Sequence, residues 1–126
     1  MIHEMRNKEY SAVIGSDCWI GRHSRIKGSV HIGNGAVIAS NSYVVSDVPD
    51  YAIVGGNPAR LIKYRFDKDI VNDLCKTEWW KMSKKELIRY RECFNDPIRF
   101  IERIKEDKKK TYQGDAWGES VCIYFL

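Results

Sequence analysis

Hydrophobic residues recur every six positions between residues 14 and 49. An aliphatic β-branched residue opens each six, at Ile14, Ile20, Ile26, Ile32, Ile38 and Val44. The residue four places after each opener is small or of medium size: Cys18, Ser24, Val30, Ala36, Ser42 and Val48. Alternating strands would give a period of two, and a helix would give a period near 3.6. The period of six predicts a solenoid with three short strands per coil, in which every opener points into a shared core.

The six-residue register divides the first half of the chain into two coils, residues 14–31 and 32–49, after an extended lead-in. Pro49 ends the register. The breakers that follow, Gly55-Gly56 and Asn57-Pro58, predict a tight loop that reverses the chain between two last strands.

The second half of the chain carries helix signals. Asp67 is a candidate cap of a first helix, Ser83-Lys-Lys-Glu86 has the form of a capping box, and Asp96-Pro97 opens a third helix. We expect Trp79-Trp80 to be buried between the first two helices. The predicted apolar faces are formed by Ile70, Val71 and Leu74 in the first helix and by Ile98, Ile101 and Ile104 in the third.

These signals predict a β fold with a helical appendage. The expected divisions are coils with their closing loop over residues 1–66, a helical extension over residues 67–110, and an irregular tail over residues 111–126. Two coils are few for a solenoid. The sequence therefore suggests either strong dependence on partners or further coils upstream of Met1.

Composition narrows the functional classes. No apolar run approaches the ~20 residues that span a bilayer, and Met1–Arg6 lacks a signal-peptide core, so we expect a cytoplasmic protein without a membrane partner. The four cysteines lack paired spacing, which argues against a zinc or disulfide framework. The net charge is +4, with the basic excess between residues 60 and 110. Because aromatic and basic residues do not interleave as in a nucleic-acid module, no nucleic-acid partner is expected.

Three longer segments and two short downstream motifs resemble a known family. The segments Ile14–Gly21, Ile32–Ser42 and Asp47–Ile62 resemble hexapeptide-repeat acyltransferases. Arg65-Phe66-Asp67 and Trp79-Trp80 look like the xenobiotic acetyltransferase branch, which acetylates chloramphenicol or streptogramin antibiotics. The resemblance covers about residues 12–82 and implies that the chain corresponds to the C-terminal part of such an enzyme. It implies a left-handed parallel β-helix, a homotrimer, acetyl-CoA as acyl donor, a small-molecule hydroxyl as acceptor, and no metal.

The resemblance also implies a histidine general base. Histidine titrates near neutrality and can take a proton from an alcohol at working pH. In this branch the base precedes the first quoted motif, where this chain offers His3. The alternative is a base upstream of Met1. His23 and His31 lie at outward register positions and are interpreted as surface residues.

The remaining candidate site residues come from motif positions. Trp19 matches a groove residue near the acceptor. Ala39 and Ser40 match the coil edge that holds the CoA arm, and Arg60 and Lys63 match basic positions near CoA phosphates.

Two departures from the family pattern bear on CoA affinity. Val45-Ser46 stands where Thr-Lys is usual, which removes a cation, and Gly28-Ser29 stands where Pro-Gly is usual. A truncated, non-catalytic trimeric solenoid, with or without CoA binding, is therefore the alternative function. A γ-type carbonic anhydrase needs three converging histidines, and the spacing of His23 and His31 argues against it.

Overall fold

The chain begins with short strands that form coils. The computed structural model describes residues 11–114 of the 126-residue chain, with side chains through Thr111. Six two-residue strands occupy the repeat: β1 Val13–Ile14, β2 Trp19–Ile20, β3 Arg25–Ile26, β4 His31–Ile32, β5 Val37–Ile38 and β6 Tyr43–Val44.

The strands pair at the spacing of one coil. β1 pairs with β4, β2 with β5 and β3 with β6, all parallel, and each register joins residues eighteen positions apart, such as Trp19 with Val37. Three consecutive strands therefore lie in three different sheets, and the fourth strand returns to the sheet of the first. This three-sided parallel stacking confirms the coil predicted from the six-residue period.

A hairpin closes the coils. β7 Ala52–Gly56 adds in parallel to β5, and β8 Ala59–Tyr64 pairs with β7 in the antiparallel sense, giving a four-stranded sheet in the order β2-β5-β7-β8. The register of β8 shifts once, so that Ile62 has no partner in β7. The predicted chain reversal at residues 55–58 is confirmed.

The hydrophobic core lies mainly in the second coil. Ile32, Ile38 and Val44 are at most 1% exposed. The equivalent residues of the first coil differ, since Ile14 and Ile20 are 47% and 40% exposed. The prediction that every opener is buried is correct for the second coil and wrong for these two residues, because the second coil covers only one edge of the first.

Left-handed backbone residues turn the corners between sheets. Asp17 and Gly35, eighteen residues apart, have φ values of 56° and 67°, and His23 and Asn41 repeat this relation at the next corner. At Gly35 an added Cβ would lie 2.5 Å from ring carbons of Tyr51. Glycine is required there by both the backbone conformation and the close approach of this ring.

The contacts divide the chain into two units between Lys81 and Met82. The first unit includes the coils, the hairpin and helix α1, Lys68–Thr77. Asp67 stands at the N-cap of α1 as predicted, but its side chain makes no capping hydrogen bond. Trp79 and Trp80 are half-buried, and Trp79 Nε1 donates to the Tyr51 hydroxyl at 2.9 Å.

The second unit contains helices α2, Lys84–Ile88, and α3, Pro97–Gly114. The predicted capping box is present: Glu86 N donates to Ser83 Oγ, and Glu86 Oε2 accepts from Ser83 N. At the start of α3, Asp96 Oδ1 accepts from two backbone amides at 3.1 Å, as its capping role predicts.

Two expectations for α3 are corrected. The helix ends at Gly114 rather than at Lys110, so the first four residues of the predicted irregular tail are helical. Ile98 is 52% exposed, whereas Phe100, Ile101 and Ile104 are buried. At ~100° per residue, Ile98 lies about 110° from the middle of the face formed by Phe100, Ile101 and Ile104, which places it outside that face. The rest of the predicted tail lies outside the described residues.

Within residues 11–114, no helix is long and apolar enough to cross a bilayer.

Candidate functional site

The outer face of the four-stranded sheet carries two of the predicted site residues in one row. Trp19 pairs with Val37, Val37 with Ile53, and Ile53 with Lys63. Paired residues of neighbouring strands point to the same face, and three inter-strand steps span about 14 Å. Trp19 is 61% exposed and Lys63 is exposed. The row therefore runs from an exposed indole at one edge of the sheet to an exposed ammonium at the other.

Arg60 and Ala39 also lie on this face, on either side of Gly55 in the closing hairpin. Arg60 pairs with Gly55, two positions from the Ile53–Lys63 pair, and is exposed. A Cβ placed on Gly55 would lie 3.0 Å from Ala39 Cβ, so Ala39 packs directly beside Gly55. Ala39, directly after β5, thus lies beside Gly55 of β7, which lies beside Arg60 of β8.

The coil corner beside this face holds Ser40. Ser40 is exposed, and its backbone nitrogen lies 2.4 Å from where a Cβ of Gly21 would stand, so the two corner segments stack closely. The backbone groups of Ala39 are already engaged, because its N–H donates to Val54 O and its carbonyl accepts from Ser24 Oγ, both at 2.9 Å. At this corner the side chain of Ser40 is exposed and can meet a ligand.

The histidines of the coils lie away from this face. His31 belongs to the β1–β4 sheet, where its backbone N–H donates to Asp47 Oδ1 at 2.8 Å, and its side chain is exposed. His23 occupies a left-handed corner position and is also exposed. Both are surface residues, as predicted. His3, the predicted general base, lies outside the described residues.

One polar network at a coil corner has no counterpart among the predicted residues. Ser16 N donates to Asn34 Oδ1 at 2.8 Å, and Asn34 N donates to Asp50 Oδ1 at 2.6 Å. The signal in the sequence is a polar residue directly after Gly15 and Gly33, one coil apart. These side chains bond backbone amides of adjacent coils, so their role is to hold the stack together.

Asp50 also contacts a thiol of helix α1. Cys75 Sγ donates to Asp50 Oδ2 at 3.5 Å. Burial and this contact raise the pKa of Cys75 from 9.0 to about 11. A thiol of this kind stays protonated at neutral pH and is a poor nucleophile.

A cationic side chain fixes the same corner from another direction. Arg65 Nη1 donates to Asp17 Oδ2 at 3.1 Å and to the Gly35 carbonyl at 2.9 Å. Its guanidinium also lies over the rings of Tyr51 and Phe66, at 5.5 and 5.2 Å from their centroids. Arg65 therefore stabilises the fold through these contacts, in contrast to the exposed Arg60 and Lys63.

Comparison with known proteins identifies the class of repeat. Residues 11–46 match the family model described as bacterial transferase hexapeptide (six repeats). The matched residues, which build most of the three-sided coils, are thus similar to the hexapeptide repeats of bacterial transferases.

Individual relatives are acetyltransferases. The chain is 46% identical over 80 residues to a chloramphenicol acetyltransferase of Klebsiella aerogenes, a match that covers 64% of this chain and 38% of the relative. It is 49% identical over 75 residues to a probable macrolide acetyltransferase of Lysinibacillus sphaericus, covering 60% of this chain and 42% of the relative. A solved hexapeptide-repeat acetyltransferase of Vibrio cholerae, complexed with acetyl coenzyme A, is 45% identical over 44% of this chain and 31% of its own, with a TM-score of 0.44.

The resemblance to antibiotic acetyltransferases stated from the motifs is thus confirmed. The chain spans about two fifths of the length of these two curated relatives.

Proposed function

We propose that this chain supplies the acetyl-CoA-binding part of an O-acetyltransferase whose acceptor is a hydroxyl of a small molecule, an antibiotic or a sugar. The observation that carries the proposal is the row from Trp19 to Lys63 on the outer face of the four-stranded sheet. The relatives named as chloramphenicol and macrolide acetyltransferases support an antibiotic acceptor.

The proposed roles follow from the chemistry of each side chain. Arg60 and Lys63 are exposed cations suited to CoA phosphates, and Ser40 offers a hydroxyl to the pantetheine arm beside Ala39. Trp19 presents an exposed aromatic surface to the acceptor. The assignment places the cations near one edge of this face and the indole at the other edge.

The proposed reaction is a direct transfer. A histidine, for which His3 is the candidate in this chain, takes the proton of the acceptor hydroxyl. The acceptor oxygen attacks the thioester carbonyl, the carbon–sulfur bond breaks, and CoA leaves as a thiol after taking up the proton. The products are an acetyl ester and free CoA, without a covalent enzyme intermediate.

We further propose that the coils turn in the left-handed sense and that the protein assembles as a homotrimer. Exposed apolar side chains on the hairpin, Leu61 and Ile62, support association, because a neighbouring subunit would remove them from water. Binding sites between subunits would then combine residues from two copies.

The test measures acetyl-CoA binding by calorimetry in the double variant Arg60→Ala, Lys63→Ala. We expect binding to weaken about tenfold or more, because two charge-assisted contacts are lost. The matched control is Arg25→Ala with Lys27→Ala, which removes the same two residue types from exposed positions at β3 in another sheet. Equal weakening in both variants, or unchanged affinity in the first, would remove Arg60 and Lys63 from the site.

Transfer is measured separately as release of CoA thiol with chloramphenicol as acceptor. If His3 is the base, His3→Ala abolishes release and leaves acetyl-CoA binding intact. A fully active His3→Ala variant rules His3 out.

The second candidate function is a non-catalytic trimeric solenoid that retains CoA binding. The Val45-Ser46 departure favours it, since the chain lacks a cation that the family usually has there. The same two assays separate the candidates: the non-catalytic protein would bind acetyl-CoA and release no thiol with any acceptor.

A further inference from the structure

The helical unit contains a groove lined by four arginines. Arg89 and Arg91 approach it from the end of α2 and the following 3₁₀ turn, and Arg99 and Arg103 approach it from α3. The cavity measures about 350 Å³, within the lower range of small-molecule pockets. Four arginines therefore line one small volume.

Most of the charged residues that line this groove are positive. Glu92 is the one carboxylate among its lining residues. The ion pairs found among residues 11–111 join Arg65 to Asp17, Lys76 to Asp73 and Lys81 to Glu78, and none of them includes a groove arginine. Like charges held close together repel one another, and a bound anion relieves this repulsion.

Two of the groove arginines also affect the pKa of a neighbouring buried tyrosine, Tyr90. Tyr90 donates its hydroxyl to Asp107 Oδ2 at 3.0 Å. Burial and this contact raise the pKa of Tyr90, while Arg89 and Arg103 act in the opposite direction. The two arginines, which come from different elements, thus both favour the ionised form of Tyr90.

We propose that this groove binds an oligophosphate group, such as the diphosphate of a nucleotide or inorganic pyrophosphate. Each guanidinium presents paired N–H donors that match two oxygens of a phosphate, which a lysine ammonium does not do. Arg99 and Arg103 stand one helical turn apart on α3, about 6 Å along its axis, so they can contact successive phosphates. Arg89 and Arg91 line the groove from the end of α2 and the following 3₁₀ turn and can supply further donors.

This site is independent of the proposed acetyl-CoA site. It is built entirely within the unit that begins at Met82, whereas Arg60 and Lys63 belong to the hairpin of the first unit. Its test therefore uses the Arg60→Ala, Lys63→Ala variant as a background, in which the groove should still bind pyrophosphate. A loss of pyrophosphate binding in that variant would assign the phosphates to the hairpin and overturn the groove.

The main experiment measures pyrophosphate binding to the full chain by calorimetry, in chloride buffer at constant ionic strength. We expect Arg99→Gln with Arg103→Gln to weaken binding about 100-fold, or roughly tenfold for each lost paired contact. The matched control is Lys109→Gln with Lys110→Gln, which removes equal charge from exposed positions on the same helix and should change affinity less than about twofold. Circular dichroism verifies that the helices persist in both variants.

A charge-conserving variant distinguishes recognition of phosphate by the guanidinium fork from nonspecific electrostatic attraction. Arg99→Lys with Arg103→Lys keeps the charge and loses the planar fork, so it should still weaken pyrophosphate binding. ADP bound at least as tightly as pyrophosphate would assign a nucleotide as the source of the phosphates, and weaker binding of ADP would assign free diphosphate. Equal affinity for citrate, equal loss in the lysine control, or no saturable binding of pyrophosphate would each overturn the proposal.

Discussion

Two isoleucines in the same register but on successive coils provide a direct test of the stacking. Ile20 and Ile38 are paired neighbours in the four-stranded sheet and differ in burial: Ile38 is fully buried, whereas Ile20 is 40% exposed. Replacing each by Ala removes the same three carbon atoms. The difference between the two variants therefore reports the burial of each rung rather than the chemistry of the side chain.

The expected magnitudes follow from this burial. Three buried carbons contribute about 2.4 kcal/mol at ~0.8 kcal/mol each, and the cavity left in the core adds to this, so Ile38→Ala should cost about 3–4 kcal/mol. About three fifths of the Ile20 side chain is covered, and its loss leaves a surface notch rather than an enclosed cavity. We expect Ile20→Ala to cost about 1.4 kcal/mol, on the same value per carbon.

Urea unfolding followed by tryptophan fluorescence measures these costs. Trp19, Trp79 and Trp80 belong to the first unit, and replacing Trp117 by Phe in every variant restricts the signal to them. Protein concentration is held constant, because assembly would add to the apparent stability.

A second pair of the same design gives an independent check. Ile32 is fully buried and Ile14, its partner in register, is 47% exposed, so Ile32→Ala should again cost more than Ile14→Ala. Equal costs within both pairs would mean that the first rung is covered in the folded protein. That outcome would refute the conclusion that the core ends at the second coil.

Two further predictions concern assembly and thiol chemistry. Sedimentation of the protein should give about three times the chain mass of 14.7 kDa, since the proposed acetyltransferase is a trimer, and a well-folded monomer would contradict this assembly. Cys75 should react with iodoacetamide at pH 8 roughly 100-fold more slowly than an unburied cysteine, because a pKa of about 11 leaves little thiolate. Its rate should rise with pH up to that value and increase in Asp50→Asn, as followed by peptide mass spectrometry; a rate equal to that of free cysteine would show that Cys75 is not shielded.

The coil and its period were predictable because stacking depends on residues of one type at one spacing. Ile32, Ile38 and Val44 form the core for the reason that the six-residue pattern indicates. The exposure of Ile14 and Ile20 was not predictable from that pattern, since burial of a rung depends on what lies on both of its edges. A local repeat specifies which way a side chain points, and neighbouring coils decide whether it is covered.

In the second half of the chain, the sequence predicted where helices begin better than where they end. Ser83 and Asp96 define their helices through side-chain hydrogen bonds to nearby backbone amides, which are local interactions. The end of α3 at Gly114 lies beyond the lysine run at residues 108–110, which is exposed and continues the helix. The arginine groove depends on the packing of a 3₁₀ turn against α3, so sequence reasoning found only the basic excess that it contributes to.

The placement of Arg60 and Lys63 shows what the structure adds to the sequence. Residues three apart in a regular strand point to opposite faces, so the sequence alone would separate these two cations. In the structure Lys63 pairs with Ile53 and Arg60 with Gly55, and these partners are two positions apart on β7. The unpaired Ile62 absorbs the extra residue as a β-bulge does, which returns both cations to the outer face. A shared role in binding one anionic ligand therefore depends on this single irregularity in the closing hairpin.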